Sequence, residues 1–81
     1  MQKFCFDPHA CNPAEAHVMK TADAVTYAKT LPGFGYVWQL NPQRKHWAAV
    51  GCYENGRAWN GWHRIVPADP GDWDAICREA K

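Results

Sequence analysis

The sequence predicts an α+β fold in which a small antiparallel sheet is packed on one side by two helices. Aromatic and β-branched residues are concentrated in three runs between residues 34 and 66, and the last two runs flank the sequence ENGR. Two further segments, one after Thr21 and one after Asp69, place apolar residues at helical spacing. We therefore expect a candidate N-terminal strand, a helix, a three-stranded meander and a second helix, in one domain that spans residues 1–81.

The N-terminal strand is predicted at residues 2–6 (QKFCF), where apolar side chains alternate with others. Residues 13–20 are open to two interpretations. Asn12 and Pro13 fit the cap and first position of a helix, but the same residues also fit an extended conformation.

Both predicted helices combine a capping residue with an apolar face. Residues 21–31 (TADAVTYAKTL) begin with a capping hydroxyl, and Pro32 and Gly33 end the helix. Asp69 is the expected cap of the second helix, with Pro70 at its first position. Its apolar stripe comprises Trp73, Ile76, Cys77 and Ala80.

The three meander strands are predicted at residues 34–40 (FGYVWQL), 46–53 (HWAAVGCY) and 57–66 (RAWNGWHRIV). The pair Asn55-Gly56 between the last two strands is the strongest short-range hairpin signal. If this pair occupies the turn, the register of the hairpin follows and assigns each side chain to one of two faces.

This register predicts one core face and one contact face. The core face comprises Ala48, Val50, Cys52, Glu54, Arg57, Trp59, Gly61 and His63. The contact face comprises Trp47, Ala49, Gly51, Tyr53, Ala58, Asn60, Trp62 and Arg64, with Trp47 opposite Arg64 in a cation–π pair. Because two helices cover only one side of a sheet, we expect the contact face to be half exposed.

Eight residues form the predicted partner-binding site, since aromatic and arginine side chains dominate binding hot spots. They are Trp47, Tyr53, Asn60, Trp62 and Arg64 on the face, and Arg44, Lys45 and Arg57 at its rim. The alternative is that the rings are structural, with Trp62 covered by the N-terminal segment that carries Phe4 and Phe6.

No catalytic motif is found, and we predict a protein that is not an enzyme and needs no cofactor. A domain of 81 residues has little interior for a substrate pocket. Cys52 and His63 share a face, but lie roughly 13 Å apart along the hairpin. Zinc binding remains an open alternative for Cys5, His9, Cys11 and His17, although their spacing departs from paired C-x2-C knuckles.

The charge distribution leaves nucleic-acid binding as the second hypothesis. Residues 34–66 carry a net charge of +3, whereas residues 67–81 carry −2. Rings and arginines on an open sheet can stack single-stranded bases and hold phosphates. The predicted element order also has the outline of a double-stranded-RNA-binding domain, but the acidic sequence DPGDWD stands where that family has lysines.

In size, lack of motif and single-sheet form, the chain resembles the small virus-encoded proteins that disable bacterial defence, among them the anti-CRISPR proteins. The resemblance covers architecture and no residue motif. It implies a stoichiometric inhibitor or adaptor that binds a protein or ribonucleoprotein, such as a Cas effector complex, and blocks DNA binding or cleavage. No apolar run approaches the roughly 20 residues of a membrane span, so we expect a cytoplasmic protein with reduced cysteines, in the host cytoplasm if it is viral.

Overall fold

The computed structural model describes residues 2–70 and 72–74. These residues form a six-stranded sheet, in the order β2-β1-β3-β4-β5-β6, in which every neighbouring pair is antiparallel. The strands are β1 (Gln2–Asp7), β2 (His17–Met19), β3 (Phe34–Asn41), β4 (His46–Glu54), β5 (Arg57–Asn60) and β6 (Val66–Pro67). One α-helix, α1 (Thr21–Ala28), and two short 3-10 helices, Pro13–Glu15 and Asp72–Asp74, complete the described elements.

The predicted sheet packed by two helices is wrong, because the sheet is larger than the meander and the described residues contain a single α-helix. Residues 13–20, for which two interpretations were open, divide into a 3-10 turn and strand β2. The side chain of Asn12 accepts a hydrogen bond from the backbone N–H of Ala14 and so caps that turn. Of the predicted C-terminal helix, Asp72–Asp74 is a 3-10 helix, and residues 71 and 75–81 lie outside the described residues.

The predicted strand at residues 57–66 is also divided in two. It ends after Asn60, and β6 returns antiparallel to β5. Gly61 and Arg64 both adopt positive φ angles, +68° and +56°, which extended strands do not contain. The intervening loop therefore leaves the sheet and reverses direction.

The predicted hairpin turn is confirmed. Asn55 and Gly56 have φ angles of 47° and 86°, as a two-residue turn with both centres left-handed requires. Glu54 pairs with Arg57, and the register continues to Gly51 and Asn60 as predicted.

The two sides of this hairpin are assigned the wrong way round in the prediction. Tyr53 is 5% exposed and belongs to the core beneath α1, together with Val37 and Ala58. There is room for its ring because the residue paired with it is Gly35, whose missing side chain leaves the space that the ring occupies. The predicted core residues Cys52 and Trp59 therefore lie on the opposite side of the sheet.

A β-bulge changes the sides again within β4. Val37 pairs with Gly51 while Trp38 pairs with Ala49, so Val50 is an extra residue in β4 and is buried in the core. Because the bulge shifts the alternation by one residue, Trp47 and Ala49 lie on the same side as Cys52. The sheet thus has a core side, covered by α1, and an opposite side that collects most of the tryptophans.

The core side is filled by rings, small side chains and α1. Its buried members include Phe4, Ala24, Val25, Ala28, Val37, Val50, Tyr53, Ala58, Ala68 and Trp73. The helix α1 has eight residues, and no helix in the described part of the chain is long and apolar enough to cross a membrane.

Candidate functional site

The side of the sheet opposite α1 carries a continuous row of aromatic side chains. We call this side the aromatic face and define it by the row of Phe34, Tyr36 and Trp38 in β3 with Trp62 of the loop after β5, and by Trp59, which lies on the same side in β5. Neighbouring rings of β3 contact edge to face, with centroids 6.0 Å apart for Phe34 and Tyr36 and 6.1 Å for Tyr36 and Trp38. The strand was predicted from the sequence but its contribution to the site was not, although aromatic residues at every second position, Phe34, Tyr36 and Trp38, were the available signal.

Trp62 folds back onto this row. Its ring centroid lies 4.5 Å from that of Tyr36 and 6.0 Å from that of Trp38. The side chain is nevertheless 44% exposed, and Phe34 at the end of the row is 42% exposed. The N-terminal segment does not cover Trp62 in the way that the alternative interpretation expects, because Phe4 is buried on the core side and Phe6 packs against Tyr27 of α1.

Arg64 borders the aromatic face at the end occupied by Phe34. Its guanidinium carbon lies 5.4 Å from the centroid of the Phe34 ring, and its Nε is 3.2 Å from Oε2 of Glu54. The predicted cation–π pair with Trp47 is wrong, because residues 61–65 form a loop and Trp47 pairs with Leu40 of β3 instead. Arg64 is nevertheless a partly exposed cation next to an exposed ring, that of Phe34.

Arg57 lies beside Arg64 without sharing its carboxylate partner. The two arginines line an open cleft of about 430 Å³ together with Glu54, Asn55 and Trp59. Within the described residues, Glu54 pairs with Arg64, and no carboxylate forms an ion pair with Arg57. The cleft therefore offers a solvated guanidinium next to an indole ring, which suits a carboxylate or phosphate bound alongside an apolar or planar group.

The remaining predicted site residues are spread over different environments. Trp47 is half-buried on the same side as the aromatic face, while Arg44 and Lys45 are exposed in the turn between β3 and β4. Tyr53 is buried under α1, so it cannot contact a partner in this fold. The side chain of Asn60 lies on the core side, where its Nδ2 donates a hydrogen bond to the Asp72 carboxylate at 2.8 Å.

Cys52 is buried beneath the loop that carries Trp62. Burial raises the pKa of its thiol, and the charge of Arg64, with hydrogen bonds from the Arg64 backbone and side chain, opposes that rise. Cys52 is fully buried, while the predicted neighbour His63 is exposed in the loop. The burial of Cys52 and the raised pKa of its thiol are typical of a cysteine that packs in the interior.

The four candidate zinc ligands are not brought together. Cys5 and His17 line one small pocket, but the His17 ring packs against Phe6 and Tyr27. Within residues 2–70 and 72–74, no group of three or more His, Cys, Asp or Glu side chains is arranged to hold a metal ion. Cys5 and Cys11 do come together, with their sulfur atoms 2.8 Å apart.

Comparisons with protein-family models, with curated proteins and with solved structures each find no significant match for this chain.

Proposed function

We propose that this chain is a non-enzymatic binding protein that contacts another protein or a ribonucleoprotein through the aromatic face. The observation that carries this proposal is the exposure of Trp62 and Phe34, 44% and 42%, within a row of packed rings. Large rings that are held in place but remain accessible lose little side-chain entropy on binding, and exposed apolar patches on small domains are commonly interaction sites.

The charges beside the rings indicate the chemistry of the partner. Arg57 and Arg64 border the same cleft, and Glu54, the one carboxylate among the described residues that line it, already pairs with Arg64. A partner that places an acidic side chain opposite Arg57 and an apolar side chain against Trp62 complements this surface in both respects. The contact surface thus keeps Trp62, Arg57 and Arg64 of the predicted site, adds Phe34, Tyr36, Trp38 and Trp59, and excludes Tyr53.

A tagged pull-down from bacterial lysate, with and without nuclease and followed by mass spectrometry, tests the proposal. We expect a discrete protein complex that survives nuclease and is lost, by at least about tenfold, with Trp62→Ala. Val18→Ala is the control, because Val18 is 59% exposed but lies in the edge strand β2. Equal recovery with both variants would contradict the assignment of the surface.

The narrower form of the proposal is stoichiometric inhibition of a Cas effector complex. It is supported by the resemblance in size and single-sheet architecture described above. Titration of the protein into a DNA-cleavage reaction should abolish cleavage at about one molecule per effector complex. Undiminished DNA cleavage at a large molar excess of the protein would contradict inhibition of the Cas effector complex. The general binding role would then be decided by the pull-down.

Direct nucleic-acid binding is the second candidate, favoured by the presence of Trp59 and two arginines in the lining of the cleft of about 430 Å³. A base stacked on the indole with its phosphate on a guanidinium would use the same groups. Salt separates the two functions, because counterion release makes phosphate binding fall steeply with added salt. Capture of nucleic acid alone, lost on nuclease treatment and at raised salt, would favour this candidate over protein binding.

A further inference from the structure

Cys5 and Cys11 form a dithiol at the end of β1. The Cys11 thiol donates a hydrogen bond to the Cys5 sulfur at 2.8 Å, and the Cys5 thiol donates to the backbone carbonyl oxygen of Asn12 at 3.4 Å. Two sulfur atoms at this separation need to approach by less than 1 Å to reach the roughly 2.05 Å of a disulfide bond. Neither thiol takes part in the aromatic face or in the proposed function.

The loop between the two cysteines is held in place by contacts that do not involve sulfur. Oδ1 of Asp7 accepts hydrogen bonds from the backbone N–H groups of His9 and Ala10, at 2.8 and 3.2 Å. On the other side of Cys11, the Asn12 side chain caps the 3-10 turn. The two thiols therefore meet because the backbone on both sides of Cys11 is fixed, which is the preorganisation that favours an intramolecular reaction.

We propose that Cys5 and Cys11 are a redox-active pair that small-molecule disulfides such as glutathione disulfide oxidise to an intramolecular disulfide. The Cys11 thiolate attacks one sulfur of the small-molecule disulfide, forms a mixed disulfide and releases one thiol. The Cys5 thiol then gives its proton to solvent and attacks the Cys11 sulfur, which releases the second small-molecule thiol. Two protein thiols are oxidised to one disulfide, and one small disulfide is reduced to two thiols.

The order of the two steps follows from exposure. Cys11 is half-buried and can meet a reagent, whereas Cys5 is 2% exposed. Burial, reinforced by the hydrogen bond and the charge of Cys11, raises the pKa of Cys5 to about 12, so Cys5 is protonated at neutral pH. Once Cys11 is in a mixed disulfide, its contribution to the raised pKa of Cys5 is lost, and the second step becomes easier.

Tryptic peptide mapping tests the proposal on the unmodified chain. Cleavage after Lys3 and Lys20 places Cys5 and Cys11 together in peptide 4–20, whereas Cys52 falls in peptide 46–57 and Cys77 in neither. The folded protein is incubated with glutathione disulfide, quenched with acid, denatured, alkylated and digested. We expect peptide 4–20 to be unalkylated and lighter by two hydrogen atoms, with peptide 46–57 alkylated on Cys52.

The same reaction in concentrated urea is the matched control. Because the fold supplies the proximity, we expect closure of the disulfide in urea to fall by at least about tenfold. Peptide 4–20 recovered with both cysteines alkylated, with glutathione retained on Cys11, or joined to another peptide would overturn the proposal. Closure of the disulfide at an equal rate in urea would also overturn the proposal, because the folded structure would then not be what brings the two cysteines together.

Discussion

The Trp62 ring lies on the Tyr36 ring with their centroids 4.5 Å apart, and this contact joins the loop after β5 to the middle of β3. Trp62 remains 44% exposed although its ring contacts Tyr36 and Trp38. Trp62 is thus fixed without being part of the core, which is the property expected of a preorganised binding residue.

Two tryptophan substitutions distinguish a surface ring from a core ring. Trp62→Ala should lower the free energy of unfolding by about 1 kcal/mol, because it removes ring contacts but creates little cavity. Trp73→Ala should lower it by about 3 to 5 kcal/mol, because Trp73 is 1% exposed within the core. Urea denaturation monitored by far-ultraviolet circular dichroism measures both, and equal losses would show that Trp62 is structural.

The space left by Gly35 is needed for the Tyr53 ring, because a Cβ at position 35 would collide with the end of that ring. Gly35→Ala should therefore destabilise the protein by about 1 to 3 kcal/mol through overpacking. In the Tyr53→Ala background the same substitution should cost much less. A double-mutant cycle measures this coupling, and additive effects would mean that the two residues do not compete for space.

Two buried polar residues of β3 provide a matched pair for the cost of an unpaired amide. Gln39 is fully buried, and within the described residues neither its Nε2 nor its Oε1 has a hydrogen-bond partner. Asn41 is also buried, but its Oδ1 accepts from the backbone N–H groups of Gln43 and Arg44. Gln39→Leu should raise the free energy of unfolding by about 1 kcal/mol, and Asn41→Leu should lower it by about 1 to 3 kcal/mol. Chemical denaturation checks both signs, and a loss in both variants would indicate that Gln39 is satisfied.

The Asp7 carboxylate should make stability depend on acid pH. Hydrogen bonds from the backbone N–H groups of His9 and Ala10 lower its pKa in the folded state. The associated stabilisation is therefore complete above the ordinary aspartate pKa of about 3.9 and is lost as the pH falls through the lower folded-state pKa.

Comparison of wild type with Asp7→Ala should show a stability difference at neutral pH that shrinks in this acid range. Asp7→Asn keeps an Oδ1 acceptor and does not titrate, so it should retain most of the stability with a weaker pH dependence. Thermal denaturation as a function of pH makes the comparison. A difference between wild type and Asp7→Ala that is constant with pH would rule out a contribution from the carboxylate charge.

Oxidation of Cys5 and Cys11 should stabilise the fold. The disulfide would close a loop whose ends are six residues apart, and the chain-entropy relation gives about 2 kcal/mol for a loop of this length. Urea midpoints of the oxidised and reduced protein measure the gain. Cys11→Ser carried through the same oxidation is the control, and a lower midpoint for the oxidised wild type would mean that strain in the native loop exceeds the entropic gain.

Local signals in the sequence predicted β1, α1, β3 and β4 within a few residues, but not β2, β6 or the way the strands assemble. Asn55-Gly56 identified both the turn and its register because a two-residue hairpin turn needs positive φ at both central positions, and these two residues have it. The side of the sheet on which Tyr53 lies depends on its partner Gly35, which is distant in sequence. The side on which Trp47 lies depends on the β-bulge at Val50, and no local sequence pattern predicts that bulge. Strand β2 has three residues and pairs with β1, so its formation is a tertiary effect.

Most of the candidate site was missed for the same reason. Trp62, Arg57 and Arg64 were predicted as contact residues, and they border the aromatic face. Tyr36 and Trp38 belong to the site because the loop after Gly61 turns back over β3, a path that a continuous strand at residues 57–66 would not follow.

The two outermost strands give the sheet protection against self-association. β2 has three residues, and β6 has two, one of which is Pro67 and has no N–H group to donate. Short edges, and a proline on one of them, offer little template for a strand from another chain, which is a common start of aggregation in β-rich proteins. The protein can therefore display exposed tryptophan and phenylalanine side chains on its face while the two outermost strands of the described sheet offer only short edges.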